Sequence, residues 1–301
     1  MSKHINNAQP PIPPYFTVPG KGTFPSNVPF YYASISSIWA WYRVDPCILE
    51  QYLEGTGLKV ANFDGAGLVN FDFMFYAGHG GSQNNFENFS GITATTEVEL
   101  NIVAYSVNDI GQLPELTAKE FILGEDQTKR YGVYRLHVPC DSIFAVSAGS
   151  QLFGEWGKFL AKFTYNVPTP NNPKQKDWDY AVYNEDCESA DDNKGRIFTV
   201  KANLGGCLPI VGNGSAITDF GIMKKDKDDP DGRLVASRRN YFAIQETYLP
   251  ENGRIDFDLS YGESDNQMRI DMEKMIGDTE LFAVQTVISP PVIAEARPYY
   301  V

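Results

Sequence analysis

Along much of the chain apolar and polar residues alternate with a period of two. Successive side chains of a strand point to opposite sides, so this pattern predicts strands with one dry face. "SISSIWAWYRV", "GLVNFDFMFY", "TEVELNIVAYS", "YGVYRLHV" and "KFLAKFTYNV" carry it in the first half, each bounded by Gly, Pro, Asn or Asp. "RIFTVKANL", "YFAIQETYL" and "GRIDFDLSYG" repeat it more weakly, and "LFAVQTVISPPVIAEARPYYV" ends the chain in an apolar segment. Two stretches have helical spacing instead. In "VDPCILEQYLEGTG", Asp45 and Pro46 suit an N-cap and first helical position, Ile48, Leu49, Tyr52 and Leu53 form the apolar stripe, and Gly55 ends it. A second helix is expected near Gln267–Ile276. The polar stretches near 106–130, 168–195 and 222–235 read as surface loops. Many strands, two helices and no strand–helix–strand alternation predict an α+β fold with a mainly antiparallel sheet, as a sandwich or barrel.

Nineteen prolines and 26 glycines are spread along the 301 residues without forming an internal linker, which favours one domain over 26–301 behind a Pro-rich arm, 1–25. The net charge of -13 repels a phosphate backbone or an anionic membrane surface, so neither nucleic acid nor membrane is an expected partner. "MSKHINNAQPPIPPYFTVPGKG" has no apolar stretch of the length an export signal or membrane helix needs, and a cytoplasmic protein is expected. Four separated cysteines and three histidines give no zinc-type spacing; free thiols and no metal follow as the expectation.

The candidate chemistry lies on the faces opposite the dry ones. Phe71, Phe73 and Phe75 oppose Asn70, Asp72, Met74 and Tyr76; Val98, Leu100, Ile102 and Ala104 oppose Glu97, Glu99, Asn101, Val103 and Tyr105. In "WGKFLAKFTYNV", Phe159, Ala161, Phe163, Tyr165 and Val167 oppose Trp156, Lys158, Leu160, Lys162 and Thr164. Such mixed faces fit either an open sheet with one wet side or a barrel whose lining brings Lys158 to two carboxylates. In a cavity, the useful chemistry of Lys158 is imine formation with a ketone. That requires a neutral amine, and so a pKa lowered from ~10.4 by burial or a nearby cation. Lys162, roughly 13 Å away along a strand, is too distant, which leaves desolvation by Trp156 and Leu160 as the expected cause. His79 in "AGHGGS" has no nucleophile elbow beside it, and Ser150 and Ser215 sit in turn-like sequence with no histidine assigned to them.

Taken in order, "WYRVDPCILEQYL", "NFDFMFY", "TEVELNIVAY", "AGSQLFGEWGKFLA" and "ISPPVIAEARPYYV" resemble the acetoacetate decarboxylase superfamily over most of the chain. The resemblance implies a cone-like, closed β-barrel with a Schiff-base lysine in an internal cavity. The family's G-x-x-L approach to that lysine falls on Gly149 and Leu152, and the lysine on Lys158. It also implies catalytic roles for Glu97 and Asp72, and substrate contacts from Glu99, Met74, Tyr76, Trp156 and Leu160. Phe159 follows Lys158 where the family's decarboxylases carry a second lysine, so the resemblance does not single out acetoacetate. The implied activity is a carbon–carbon lyase acting on a small keto acid by decarboxylation, or by aldol condensation and dehydration. The implied protein is a homo-oligomer that needs no cofactor. A binding barrel that kept the fold without the chemistry is the alternative.

Overall fold

The structure, a computed structural model, describes residues 12–26, 28–80, 93–172, 174–189, 191–214, 217–224, 232–241, 244–289 and 293–301. Strands β1 (Tyr15–Val18) and β2 (Gly22–Pro25) form an N-terminal hairpin. Long β3 (Phe30–Val44) leads through helix α1 (Pro46–Leu53) and β4 (Leu58–Val60) to the equally long β5 (Gly67–Gly80) and β6 (Thr93–Ser106). Helix α2 (Ala118–Ile122), β7 (Gly132–Cys140) and helix α3 (Ile143–Ala148) precede β8 (Lys158–Asn166), β9 (Asp177–Asn184) and β10 (Arg196–Asn203). Then come β11 (Ile210–Gly212), β12 (Ile217–Met223), β13 (Arg233–Tyr241), β14 (Gln245–Tyr248) and β15 (Asp256–Tyr261). Helix α4 (Gln267–Met275), β16 (Leu281–Ser289), β17 (Ile293–Glu295) and β18 (Tyr299–Tyr300) complete the order. The α1 helix starts as its residues demand: Asp45 accepts a hydrogen bond from the Cys47 N–H, Pro46 fills the first turn, and Leu49 and Leu53 are buried.

Antiparallel pairing runs from β3 to β5, β6 and β7, and β7 pairs in parallel with β12. The series continues antiparallel through β13 and β17, and β17 pairs back with β3. Strand β8 lies parallel to β7 only over Val138–Cys140, then leaves it for β9, which continues through β10 to β15 as a second layer. The dry faces of β5 and β6 meet this layer. Phe73 stacks on Tyr180 with ring centroids 4.3 Å apart, and Phe71 packs on Phe198. Burying each of these rings contributes about 1.5–3 kcal/mol. The opposite faces are buried as well: Asn70, Asp72, Met74, Glu97, Glu99 and Asn101 are all at most 4% exposed. Neither side of these strands is wet, so their carboxylates must be met by cations or protons.

Three stretches differ from the loops their polarity predicted. Strand β9 lies inside 168–195, with Trp178, Tyr180 and Val182 buried and alternating with Asp177 and Asp179. Helix α2 lies inside 106–130, started by a reciprocal cap in which Thr117 and Glu120 satisfy each other's backbone N–H groups. Met223 and Arg233–Val235, in the third stretch, belong to β12 and β13, while 225–231 lie outside the described residues. The turn-like "AGSQLF" is the end of α3 and a π-helical turn, Gly149–Phe153, in which the Ser150 hydroxyl donates to the Val146 carbonyl. Gly154 then reverses the chain at φ 74°, so tightly against β12 that a Cβ there would lie 2.6 Å from the Ile222 carbonyl carbon.

The hairpin docks on this turn. Phe16 and Phe24 meet Phe144 edge-on at 5.0 and 5.3 Å, and the Gln151 amide both accepts from the Thr17 N–H and donates to the Thr17 carbonyl. Residues 1–11 of the Pro-rich arm lie outside the described residues, as does Ser215; His79 is placed only by its backbone, at the end of β5. Cys47 is an exposed thiol, and Cys140, Cys187 and Cys207 are buried ones. Among the described residues, no helix is long and apolar enough to cross a membrane.

Candidate active site

The first residue of β8 places the Lys158 ammonium at the inner end of a cavity of about 580 Å³. Its Nζ lies 2.9 Å from Glu97 Oε2 on β6 and 3.2 Å from Glu155 Oε2 on the turn before β8. Tyr76 of β5 donates its hydroxyl proton to the same Glu97 oxygen at 3.0 Å. Gly149 makes this arrangement possible: a Cβ there would stand 2.5 Å from Glu155 Oε2 and 2.7 Å from Lys158 Cδ.

Behind the lysine lies a layer of charge. Arg135 of β7 contacts Glu155, Asp219 of β12 at 2.8 Å, Glu99 at 3.1 Å and Glu295 of β17 at 3.3 Å. Arg239 of β13 contacts Glu99 at 2.9 Å and Asp219 at 3.0 Å, and Asp72 lies 3.9 Å from it. Hydroxyls of Ser37, Ser237 and Tyr32 complete the network by donating to Asp72 and Glu295. Three cations thus face six carboxylates in a buried space, a balance that retains protons.

Burial opposes ionisation throughout, and local partners decide the outcome. At Glu99 burial is overcome by Arg135 and Arg239, which bring the carboxyl down to about 2. Arg135 and Lys158 likewise overcome burial at Glu155 and lower it. At Glu97 burial prevails over Lys158, and the carboxyl is raised. Burial, reinforced by Glu99, raises Asp72 well above the carboxylate range, and burial raises Asp219 to about 6 despite both arginines. For Lys158 the expectation of a depressed amine is overturned. Burial acts in that direction, but Glu155 and Glu97 outweigh it and hold the ammonium above its ordinary range.

The predicted residues do not all share one place. Lys158, Glu97 and Tyr76 wall the cavity together. Glu99 lies between the two arginines, and the Met74 sulfur is 3.3 Å from the Arg239 guanidinium. Asp72 borders a small chamber of about 60 Å³ on the far side of Arg239. Trp156 lies outside the cavity wall, its indole N–H donating to the Ile222 carbonyl at 2.8 Å. Leu160 lines a separate groove, where the Lys162 ammonium donates to the Cys187 carbonyl. Alternation placed Leu160 beside Lys158. That face is interrupted because β8 passes from one sheet layer into the other within three residues.

Sequence reading missed Arg135, Glu155, Asp219, Arg239, Glu295 and Tyr32. For Arg135, Asp219 and Glu295 the signal is a charged residue within an apolar strand, in "GVYRLHV", "ITDFGIM" and "VIAEAR", and for Glu155 it is a glutamate three residues before the lysine; Arg239 and Tyr32 carry no such mark. Among the described residues, no three ligand-type side chains converge as a metal site would require.

No protein-family model matches the chain, and no curated protein matches it in sequence. Solved structures do match it in fold. The enduracididine biosynthesis enzyme MppR, complexed with pyruvate, superimposes with TM-score 0.63 at 12% identity, over 93% of this chain and 94% of that one. An acetoacetate decarboxylase-like enzyme from Sphingomonas wittichii RW1 gives 0.59 at 16% identity, over 98% and 99%. Acetoacetate decarboxylase from Legionella pneumophila gives 0.58 at 10% identity, over 95% and 93%.

Proposed function

Because the chain has the fold of the acetoacetate decarboxylase-like enzymes, we propose that it is a Schiff-base enzyme acting on a keto acid, with Lys158 as its nucleophile. The observation that carries this is the Lys158 ammonium at the cavity's inner end, in contact with two carboxylates of opposite character. Glu155 is an ionised partner that holds the amine in place. Glu97 has a raised proton affinity at 2.9 Å and is suited to take the lysine proton and return it.

The chemistry follows from that pair. Lys158 passes a proton to Glu97, and the free amine adds to the ketone carbon. The resulting carbinolamine takes a proton back on oxygen and loses water, which leaves an iminium. The iminium accepts the electron pair of a neighbouring C–C bond as carbon dioxide departs, or of a C–H bond as a carboxylate takes the proton. The enamine so formed is protonated on carbon and hydrolysed. In an aldol reaction it instead attacks an aldehyde carbon, and the adduct then loses water. Tyr76 donates to Glu97 and keeps it aligned, while Glu99 and Asp72 fix the two arginines beneath. The reading includes a cone-like barrel closed by the circuit from β3 through β17, a cytoplasmic homo-oligomer, and no organic cofactor.

One observation favours the alternative, a non-catalytic binding barrel: Glu155 and Glu97 stabilise the ammonium, the form that cannot attack a ketone. Borohydride trapping with keto acids, read by mass spectrometry, separates the two. The enzyme reading expects a reduced adduct on Lys158 that Lys158→Ala abolishes. Ligand binding without any adduct supports the binding barrel.

A further inference from the structure

The cavity is divided. Lys158, Glu97, Glu155 and Arg135 line it with buried charge, whereas Val18 and Phe24 of the hairpin, with Phe144, Ala145, Ala148 and Phe153 of α3 and its π-turn, line it with apolar surface, bordered by the polar groups of Lys21, Asp141 and Ser142. A three-carbon keto acid displaces on the order of 100 Å³, judged against ~30 Å³ for a water. Such a molecule would leave most of the 580 Å³ empty, next to an apolar wall that holds water poorly. The wall is also purpose-built in the sense that two separate devices hold it. Phe144 anchors both hairpin strands through Phe16 and Phe24, and Gln151 binds the Thr17 backbone from both sides.

Resting on Lys158 as the imine-forming residue, we propose that the carbonyl substrate carries a bulky apolar group, aryl or medium-chain alkyl, and that the hairpin and α3 form the pocket that selects it. With the carbonyl carbon at Lys158, the substituent reaches the aromatic wall and covers it from water, a gain that a methyl group cannot provide.

The test compares pyruvate, 2-oxo-4-phenylbutanoate and 2-oxooctanoate by calorimetry on the intact protein. The two larger acids are expected to bind at least about tenfold more tightly than pyruvate, since each buried methylene is a substantial increment. Ala145→Phe, which fills the apolar part of the cavity, is expected to bring the ratio close to one. Phe144→Leu, read on protein whose melting temperature shows it folded, is expected to lower the ratio partway. Equal or tighter binding of pyruvate overturns the proposal, as does a ratio unaffected by Ala145→Phe. Trapping tests the reading beneath it separately. If none of the three acids gives an adduct, the imine assignment fails, while calorimetry on Lys158→Ala still reports whether the cavity prefers the larger acids.

Discussion

Glu155 and Lys158 stand three residues apart across a glycine turn, with Oε2 and Nζ 3.2 Å from each other and both side chains buried. The pair explains why crowding by apolar residues fails to produce a free amine here: Glu155 and Glu97 outweigh the burial. Because the raised lysine pKa makes the reactive amine scarcer at neutral pH, the rate of borohydride-trappable imine formation should climb as pH rises. Removing either carboxylate charge removes a cause of the increase. Glu155→Gln and Glu97→Gln should therefore shift the trapping profile to lower pH, and an unmoved profile would show that neither carboxylate governs the lysine.

Gly149 offers a substitution that sets a gain in helix propensity against the buried ion pairs of the site. Alanine in this helical turn favours the helix by up to about 1 kcal/mol. Its methyl would meet Glu155 Oε2 and Lys158 Cδ, which are held in buried ion pairs with each other and with Arg135, so it can be accommodated only by pulling those pairs apart. Gly149→Ala is expected to melt below the parent, since the disturbed ion pairs outweigh the helix gain, and its trapping rate to fall on the order of 10²-fold, the cost of displacing a reacting group by about 1 Å.

Arg135 contacts carboxylates from four parts of the chain, and losing it deprives each of these buried groups of a cation, although Arg239 still meets Glu99 and Asp219 and Lys158 still meets Glu155. Arg135→Met should cost about 3–5 kcal/mol in urea unfolding near neutral pH. The deficit should shrink in acid, where these carboxylates take up protons.

Asp219 supplies a pH dependence with a definite sign. Burial pushes its carboxyl up from the ordinary 3.8 to about 6 in the folded protein, so between these values the folded protein binds the additional proton. A carboxylate raised in this way contributes stability at low pH that is lost as pH rises through that window. Asp219→Asn should lower stability overall, since it breaks contacts with both arginines, yet flatten the decline between those two pH values. Urea midpoints collected across the window test this; an equally steep decline in the variant would assign it elsewhere.

Strands β3, β5 to β8, β10, β14 and β15, with α1 and α4, were legible because their periodicity records which face is dry, and the pairing of Lys158 with Glu97 was legible through the family resemblance. Harder to read was anything that depends on where a strand goes next. Leu160 follows the alternation of Lys158 yet lines another groove, because β8 changes sheets within three residues. Trp178 and Tyr180 lay between polar stretches dense enough to look like a loop, although their alternation carries the buried face of β9. Arg135 and Asp219 were passed over for a different reason. A single charge in an apolar strand has no local partner, and its meaning appears only when β7 and β12 lie side by side.

Arg135 also ties the site to chain synthesis. Its partners run from Glu99 on β6 to Glu295 on β17, far apart along the chain. The strand that carries Glu295 also joins β13 to β3. A ribosome-bound chain that has released everything up to β16 therefore holds the lysine, both arginines and five of the six carboxylates, but lacks the strand that brings the two edges together. Long-range pairing of this kind forms late and slowly. The surroundings of Lys158 are therefore completed only after β17 has emerged, whatever the order in which the earlier strands pair.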